Sequence, residues 1–187
     1  MFVLGISGVT CSGKTTLARL LKKDWVNCIH LCQDDYFLPE DSPRHVVVPH
    51  LGHNNWELIT ALDMDRMKTD IREVMNSSLK DGVDLLILEG FLLLNDTELS
   101  SYCDVKVYVD VPYEECRRRR FSRTYDPPDV PGYFDDVVWP ESQKNRKLVL
   151  SQFPDLCVLD GSLPVNVLYK MLLEILTEKG FKKAVIH

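Results

Sequence analysis

The sequence predicts an α/β sandwich built on a parallel β-sheet. Two features carry that prediction: five short apolar runs rich in Val, Ile and Leu, and helical patterns lying between them. Strands that read as continuous apolar segments are covered on both faces, and strands alternating with helices form parallel βαβ units.

The apolar runs are 2–6 (FVLGI), 28–32 (CIHLC), 84–88 (DLLIL), 105–109 (VKVYV) and 156–159 (LCVL). Residues 14–24 put Leu17, Leu20 and Leu21 on one side and Lys and Arg on the rest. Residues 57–80 space Leu58, Ala61, Leu62, Met64, Met67, Ile71, Val74 and Met75 at near-helical intervals. Residues 112–123 form a strongly charged helical segment, and 164–178 carry Val167, Leu168, Met171, Leu172, Ile175 and Leu176. Two stretches, 39–55 and 125–134, follow neither period. The second has prolines at 127, 128 and 131, which stiffen it. A stiff segment after an Arg-rich helix reads as a lid, roughly 112–136. No repeat or linker divides the chain, so 1–187 is expected to be a single domain.

The chain has 187 residues, 45% hydrophobic and 27% charged, with a formal net charge of −6. An acidic balance argues against nucleic-acid binding, but a local basic pocket for a nucleotide remains compatible with it. The six cysteines form no CxxC pair and are expected to be reduced thiols. The first apolar stretch, Met1 to Ile6, is too short for a secretory or membrane segment. The expectation is a cytoplasmic monomer that contacts no membrane. His45, His50 and His53 share one loop at irregular spacing, with no acid or cysteine to complete a zinc set, and read as solvated.

Gly8-Val9-Thr10-Cys11-Ser12-Gly13-Lys14-Thr15 matches G-x-x-x-x-G-K-[ST] at every fixed position, between a strand and a helix. Backbone N–H groups of such a P-loop, with the helix N-terminus reaching Thr16, cradle phosphates. Lys14 reaches the β- and γ-phosphates, and the Thr15 hydroxyl can ligate Mg²⁺. A second metal-binding acid is expected at a neighbouring strand end, where Glu89 follows four apolar residues. The strand at 28–32 runs into Gln33-Asp34-Asp35-Tyr36-Phe37, at the strand end where ligands of parallel sheets bind. One of Asp34 and Asp35 can orient an acceptor hydroxyl and take its proton; in extended geometry they face opposite ways, and spacing does not choose between them. Arg119, Arg120 and Arg123 share helix faces within the Arg-rich run and suit a cationic clamp on transferring phosphate, whereas Arg117 and Arg118 read as solvated or paired with Glu114 and Glu115.

These blocks, with Leu88-Glu89-Gly90-Phe91-Leu92-Leu93, Pro112-Tyr113-Glu114-Glu115-Cys116, Pro127 to Asp135 and Val138-Trp139-Pro140, resemble the eukaryotic nicotinamide riboside kinases over roughly 1–175. The P-loop is generic; the block 112–140 is the specific part. The resemblance implies a nucleoside-monophosphate-kinase-like three-layer sandwich with a five-stranded parallel sheet. It implies transfer of the γ-phosphate of ATP, or of GTP, to the 5′-hydroxyl of nicotinamide riboside with Mg²⁺. It implies Asp34 as base, Thr15 and Glu89 at the metal, Arg120 and Arg123 on substrate and phosphates, and Tyr125 against the nicotinamide ring. Taken with the reading of the residues, the expected sets are Arg119 and Arg123 on the nucleotide, and Asp34, Tyr36, Trp56, Glu57, Arg120 and Tyr125 on the nucleoside. Family members tend to carry an aromatic–Asp pair where this chain has Trp56-Glu57, and Asn where it has Cys11. That loop position is expected to act mainly through its backbone. The alternatives are a uridine or cytidine kinase and a nucleotide-gated binding module.

Overall fold

A computed structural model describes residues 1–181; the last residues of the expected 1–187 domain lie outside the described residues. The chain runs β1 (Phe2–Gly8), α1 (Lys14–Asp24), β2 (Cys28–Cys32), β3 (Val47–Val48), β4 (His53–Asn54), α2 (Met64–Asp81) and β5 (Leu85–Gly90). It continues through α3 (Thr97–Tyr102), β6 (Val105–Asp110), α4 (Tyr113–Phe121), α5 (Trp139–Gln152), β7 (Cys157–Asp160) and α6 (Val165–Glu178). Five strands make one sheet in the order β2-β5-β1-β6-β7, and every pairing in it is parallel. All five are the apolar runs of the sequence. β3 and β4 form a separate small antiparallel ladder, Val47 opposite Asn54.

Alternation along each strand feeds two opposite cores. On one face Leu4, Ile6, Leu85, Ile87, Val107 and Leu159 pack under Leu17 and Leu21 of α1 and Leu168, Leu172 and Leu176 of α6. On the other, Val3, Leu86 and Leu88 meet Met64, Met67 and Ile71 of α2 and Leu99 of α3. The sheet is thus the middle layer of three, as expected. A third cluster gathers Val9, Tyr108, Val111 and Cys116 with Tyr133, Phe134, Val137 and Val138.

The structure departs from the sequence-based elements in three places. The helix expected at 57–80 begins only at Met64, because Leu62 is extended and Asp63 starts the helix: its Oδ1 accepts from the Arg66 N–H at 3.1 Å. Ala61 and Leu62 are buried by a 3₁₀ turn at Ile59–Ala61, which mimics the helical spacing of apolar residues. The charged helix ends at Phe121, two residues before Arg123. Helix α5 was not anticipated, since Val149 is its one fully buried side chain and no apolar stripe marks it; Pro140 in its first turn is the signal available. Among the described residues no helix is long and apolar enough to cross a membrane.

Gly8 ends β1 at φ 146°, and a Cβ there would run into the carbonyl and amide of Val109 on β6. Gly8→Ala is therefore expected to destabilise the protein by about 2–4 kcal/mol. Urea unfolding followed by circular dichroism checks this, with an unchanged midpoint as the contrary outcome.

Candidate active site

The cavity lies over the carboxyl ends of β1, β2 and β5 and has a volume of about 370 Å³. Its floor is the loop from Gly8 to Lys14, ordered by short-range hydrogen bonds and by one lysine. The Lys14 ammonium donates to the Val9 carbonyl at 2.9 Å and is buried, holding its charge against the loop backbone. Gly13 and Cys11 both have positive φ, at 102° and 58°. The left-handed region suits Gly and Asn better than Cys, so the Cys11 position is constrained through its backbone. Its side chain does more than expected: the buried Sγ lies 3.3 Å from the Tyr125 hydroxyl, joining the loop to the 122–132 segment.

Thr15 and Glu89 meet at the base of the cavity, where the Thr15 hydroxyl donates to Glu89 Oε1 at 2.5 Å. Burial alone would raise the Glu89 carboxyl, but the approach of His30, the Thr15 hydroxyl and the Lys14 charge outweigh it and hold it below the usual range. Asp34 also lines the cavity, whereas Asp35 does not. The two are not on an extended strand: Gln33–Tyr36 is a 3₁₀ turn. Asp34 is exposed to the cavity, yet the dense protein around it desolvates the carboxylate and raises its pKa, with Lys14 opposing and Glu89 adding to the rise.

Gln33 was missed by sequence reasoning. It is fully buried; its Oε1 accepts from the Leu92 N–H at 2.9 Å, and its side chain packs where a Cβ on Gly90 would sit. It ties the turn bearing Asp34 to the end of β5 bearing Glu89. A glutamine inside a polar motif carries no periodic signal, and only its burial reveals it.

Arg120 is 6% exposed and bonds Asp129 through two nitrogens, at 2.6 and 2.9 Å. Its Nη1 donates to Glu57 Oε1 and to the Thr10 hydroxyl, both at 3.3 Å, and its guanidinium stacks 4.4 Å from the Tyr125 ring centre. Glu57 is buried, and desolvation raises its carboxyl against the pull of Arg120. Trp56, Glu57, Arg120, Arg123 and Tyr125 all line the cavity. Arg123 reaches it from a turn in which its N–H bonds the Arg120 carbonyl, and not from a shared helix face. Arg119 instead bonds Glu115 at 2.6 Å and the Cys11 carbonyl at 3.2 Å, away from the cavity lining. Arg118 pairs with Glu115 and Arg117 approaches Asp135, on the solvent side as expected.

Tyr36 is a correction. It is buried beside α2 with its hydroxyl on Asp70 at 2.8 Å, and it does not line the cavity. The three loop histidines do not converge: His45 bonds the Pro39 carbonyl, His50 pairs with Asp136, and His53 packs edge-on to Tyr133.

Removing Asp129 would leave the buried Arg120 with one carboxylate. Asp129→Ala is expected to cost about 1.5–3 kcal/mol, the range of a hydrogen bond to a charged group. Glu115→Ala, at an exposed pair, should move the urea midpoint far less. Equal shifts would mean that Arg120 is not the tie between the lid and the loop.

Residues 4–140 match the family described as AAA domain. The chain is 39% identical over 183 residues to nicotinamide riboside kinase 1 of Mus musculus, covering 92% of each chain. It is 37% identical over 192 residues to nicotinamide riboside kinase 1 of Homo sapiens, covering 97% of this chain and 95% of that one. A sugar kinase structure from Janibacter sp. HTCC2649 superposes with a TM-score of 0.61 at 20% identity, covering 95% of each chain, a likeness of fold alone. With a complete P-loop on a five-stranded parallel sheet and these near-full-length relatives, the chain belongs to the nicotinamide riboside kinase family of P-loop kinases.

Proposed function

We propose that this chain transfers the γ-phosphate of ATP to the 5′-hydroxyl of nicotinamide riboside, giving nicotinamide mononucleotide. The observation that carries the reading is one cavity lined at once by Lys14, Thr15, Glu89 and Asp34 and by Trp56, Glu57 and Tyr125. The first group suits a phosphoryl donor and an acceptor hydroxyl; the second suits a flat base and a ribose.

In this reading the loop 8–16 and Lys14 bind the donor phosphates, and Lys14 exchanges its bond to the Val9 carbonyl for phosphate oxygens. Asp34 orients the acceptor hydroxyl and takes its proton. Arg120 and Arg123 face the transferring group, while Arg119 holds the loop through the Cys11 carbonyl. α4 and the segment to Pro131 form the lid, hinged on Tyr133, whose hydroxyl accepts from the Trp56 N–H at 2.8 Å.

Thr15 and Glu89 fit a magnesium ion. A hydroxyl and a carboxylate adjoin there, and Glu89 Oε2 is buried without a hydrogen-bond partner among the described residues. Magnesium bound there would neutralise charge on the β- and γ-phosphates.

Lys14→Ala should abolish transfer with the fold intact, and Asp34→Asn should lower kcat by about 10²–10⁴-fold with little change in ATP affinity. The base must be ionised, so kcat/KM falls as pH drops through the Asp34 pKa. Because that pKa is raised, the acidic limb should lie above the ordinary Asp value of about 3.9. Initial rates across pH for wild type and Asp34→Asn decide this, since the mutant should lose the limb.

Specificity follows from the opposite wall. A pyridinium over an indole face gains about 0.5–2 kcal/mol over a neutral base, and a site that bonds a hydroxyl disfavours the analogue lacking it. Nicotinamide riboside should be preferred to uridine, and ribosides to 2′-deoxyribosides. Trp56→Ala should narrow the first preference and Glu57→Ala the second. The measurement is kcat/KM for four nucleosides with ATP, repeated with GTP as donor. A common fall for all four on Glu57→Ala would assign Glu57 to holding Arg120 alone.

A further inference from the structure

Beside Glu89 two further metal-ligating side chains converge, neither of them among the residues that line the cavity. Residues i and i+2 of a strand point to the same face, so His30 and Cys32 of β2 lie side by side. The parallel register sets Cys32 opposite Glu89 of β5. His30 Nε2 lies 3.5 Å from Glu89 Oε2, and the Cys32 thiol donates to Glu89 Oε1 at 3.4 Å. One nitrogen, one sulfur and one oxygen from these residues all lie within 4.8 Å of one another. Around a tetrahedral zinc with bonds of about 2.0–2.3 Å, ligand atoms stand roughly 3.4–3.6 Å apart. The side chains therefore need only small adjustments to meet on one ion.

A second observation points to a ligand. Glu89 is 1% exposed, and its Oε2 and His30 Nε2 face each other as an ion pair at 3.5 Å, while neither atom has a hydrogen-bond partner among the described residues. Buried polar atoms normally make hydrogen bonds, and a cation held by both atoms would satisfy them. Asp34 lies near enough to Cys32 to add negative field, while Lys14 acts on Glu89 from the cavity side.

We propose that His30, Cys32 and Glu89 form a site for a thiophilic divalent cation, zinc by chemistry, and that filling it blocks phosphoryl transfer. Thiolate and imidazole favour zinc, whereas magnesium requires a nearly octahedral set of oxygens. Coordination by Cys32 expels the thiol proton to solvent. The bound zinc takes the Glu89 carboxylate away from Thr15 and from the magnesium position. This inhibitory half rests on Glu89 serving magnesium; the binding half does not.

Cobalt(II) is the spectroscopic probe and zinc the titrant, added to the full-length chain. One equivalent of cobalt should give a thiolate-to-metal charge-transfer band and intense tetrahedral d–d bands, both removed by zinc. Cys32→Ser should abolish the charge-transfer band and weaken zinc at least about 10-fold in competition with a chromophoric chelator, since even outer-sphere partners contribute about 10–100-fold. Cys28→Ser, on the same strand face but without a carboxylate opposite, should leave the band intact. His30→Gln leaves every thiol in place and should also weaken zinc at least about 10-fold, which keeps the test open if Cys32→Ser does not fold. Buffered zinc should inhibit wild type in excess magnesium, and Cys32→Ser, relative to its own zinc-free rate, should need at least about 10-fold more. Absence of a thiolate band, or its survival in Cys32→Ser, overturns the site. Zinc binding that leaves turnover unchanged overturns the inhibition and counts against Glu89 as the magnesium acid, while the site stands.

Discussion

The cavity depends on one buried guanidinium. Arg120 carries a permanent charge into a place that is 6% exposed, and that is tolerable only because Asp129 and Glu57 balance it. Its planar fork meets Asp129 through two parallel bonds, its third nitrogen spans Glu57 and Thr10, and its face lies on Tyr125. The four partners come from three segments: the 122–132 stretch, the loop before α2 and the phosphate loop. A lysine could supply the charge but not this geometry. Residues 116–125 reach the phosphate loop by three further routes: the Arg119 bond to the Cys11 carbonyl, the Cys116 thiol bond to the Thr10 carbonyl at 3.2 Å and the contact of Cys11 Sγ with the Tyr125 hydroxyl.

Within the frame so held, two carboxylates of one cavity are pushed in opposite directions. Desolvation wins at Asp34, raising it; hydrogen bonding and nearby positive charge win at Glu89, lowering it. In the function proposed, environment thereby separates a proton acceptor from a charged ligand, a division of labour common in active sites. Gln33 makes the separation stable, since it fixes the turn carrying Asp34 to the strand end carrying Glu89 through the Leu92 N–H. Lys14 lies between them and lowers both.

Tyr133, Phe134 and Val138 are buried in one packed cluster with Val9, Tyr108 and Cys116 of α4. Residues 112–136 are therefore not uniform. Cys116 and Arg120 of α4, and Tyr133 and Phe134, are core, whereas 121–132 between them has no buried residue.

The sequence by itself determined the sheet, its five strands, the phosphate loop and the family. Those signals are local: apolar runs covered on both faces, a glycine pattern fixed by φ, and a lysine and threonine at set distances from it. It also named the acids and arginines that could matter. What it could not decide was which of them meet. Spacing left Asp34 and Asp35 open and the resemblance implied Asp34; in the fold Asp34 lines the cavity and Asp35 does not. Tyr36, next to Asp35, went to Asp70 of α2, and Arg123 reached the cavity from a turn and not from a helix. Gln33, and the pairing of Cys32 with Glu89, were invisible, because each depends on residues 57 or more positions apart in the chain. Periodicity reports the face that a residue occupies on its own element. The neighbour across that face is set by sheet register and by the packing of distant segments, and those exist only in the folded chain.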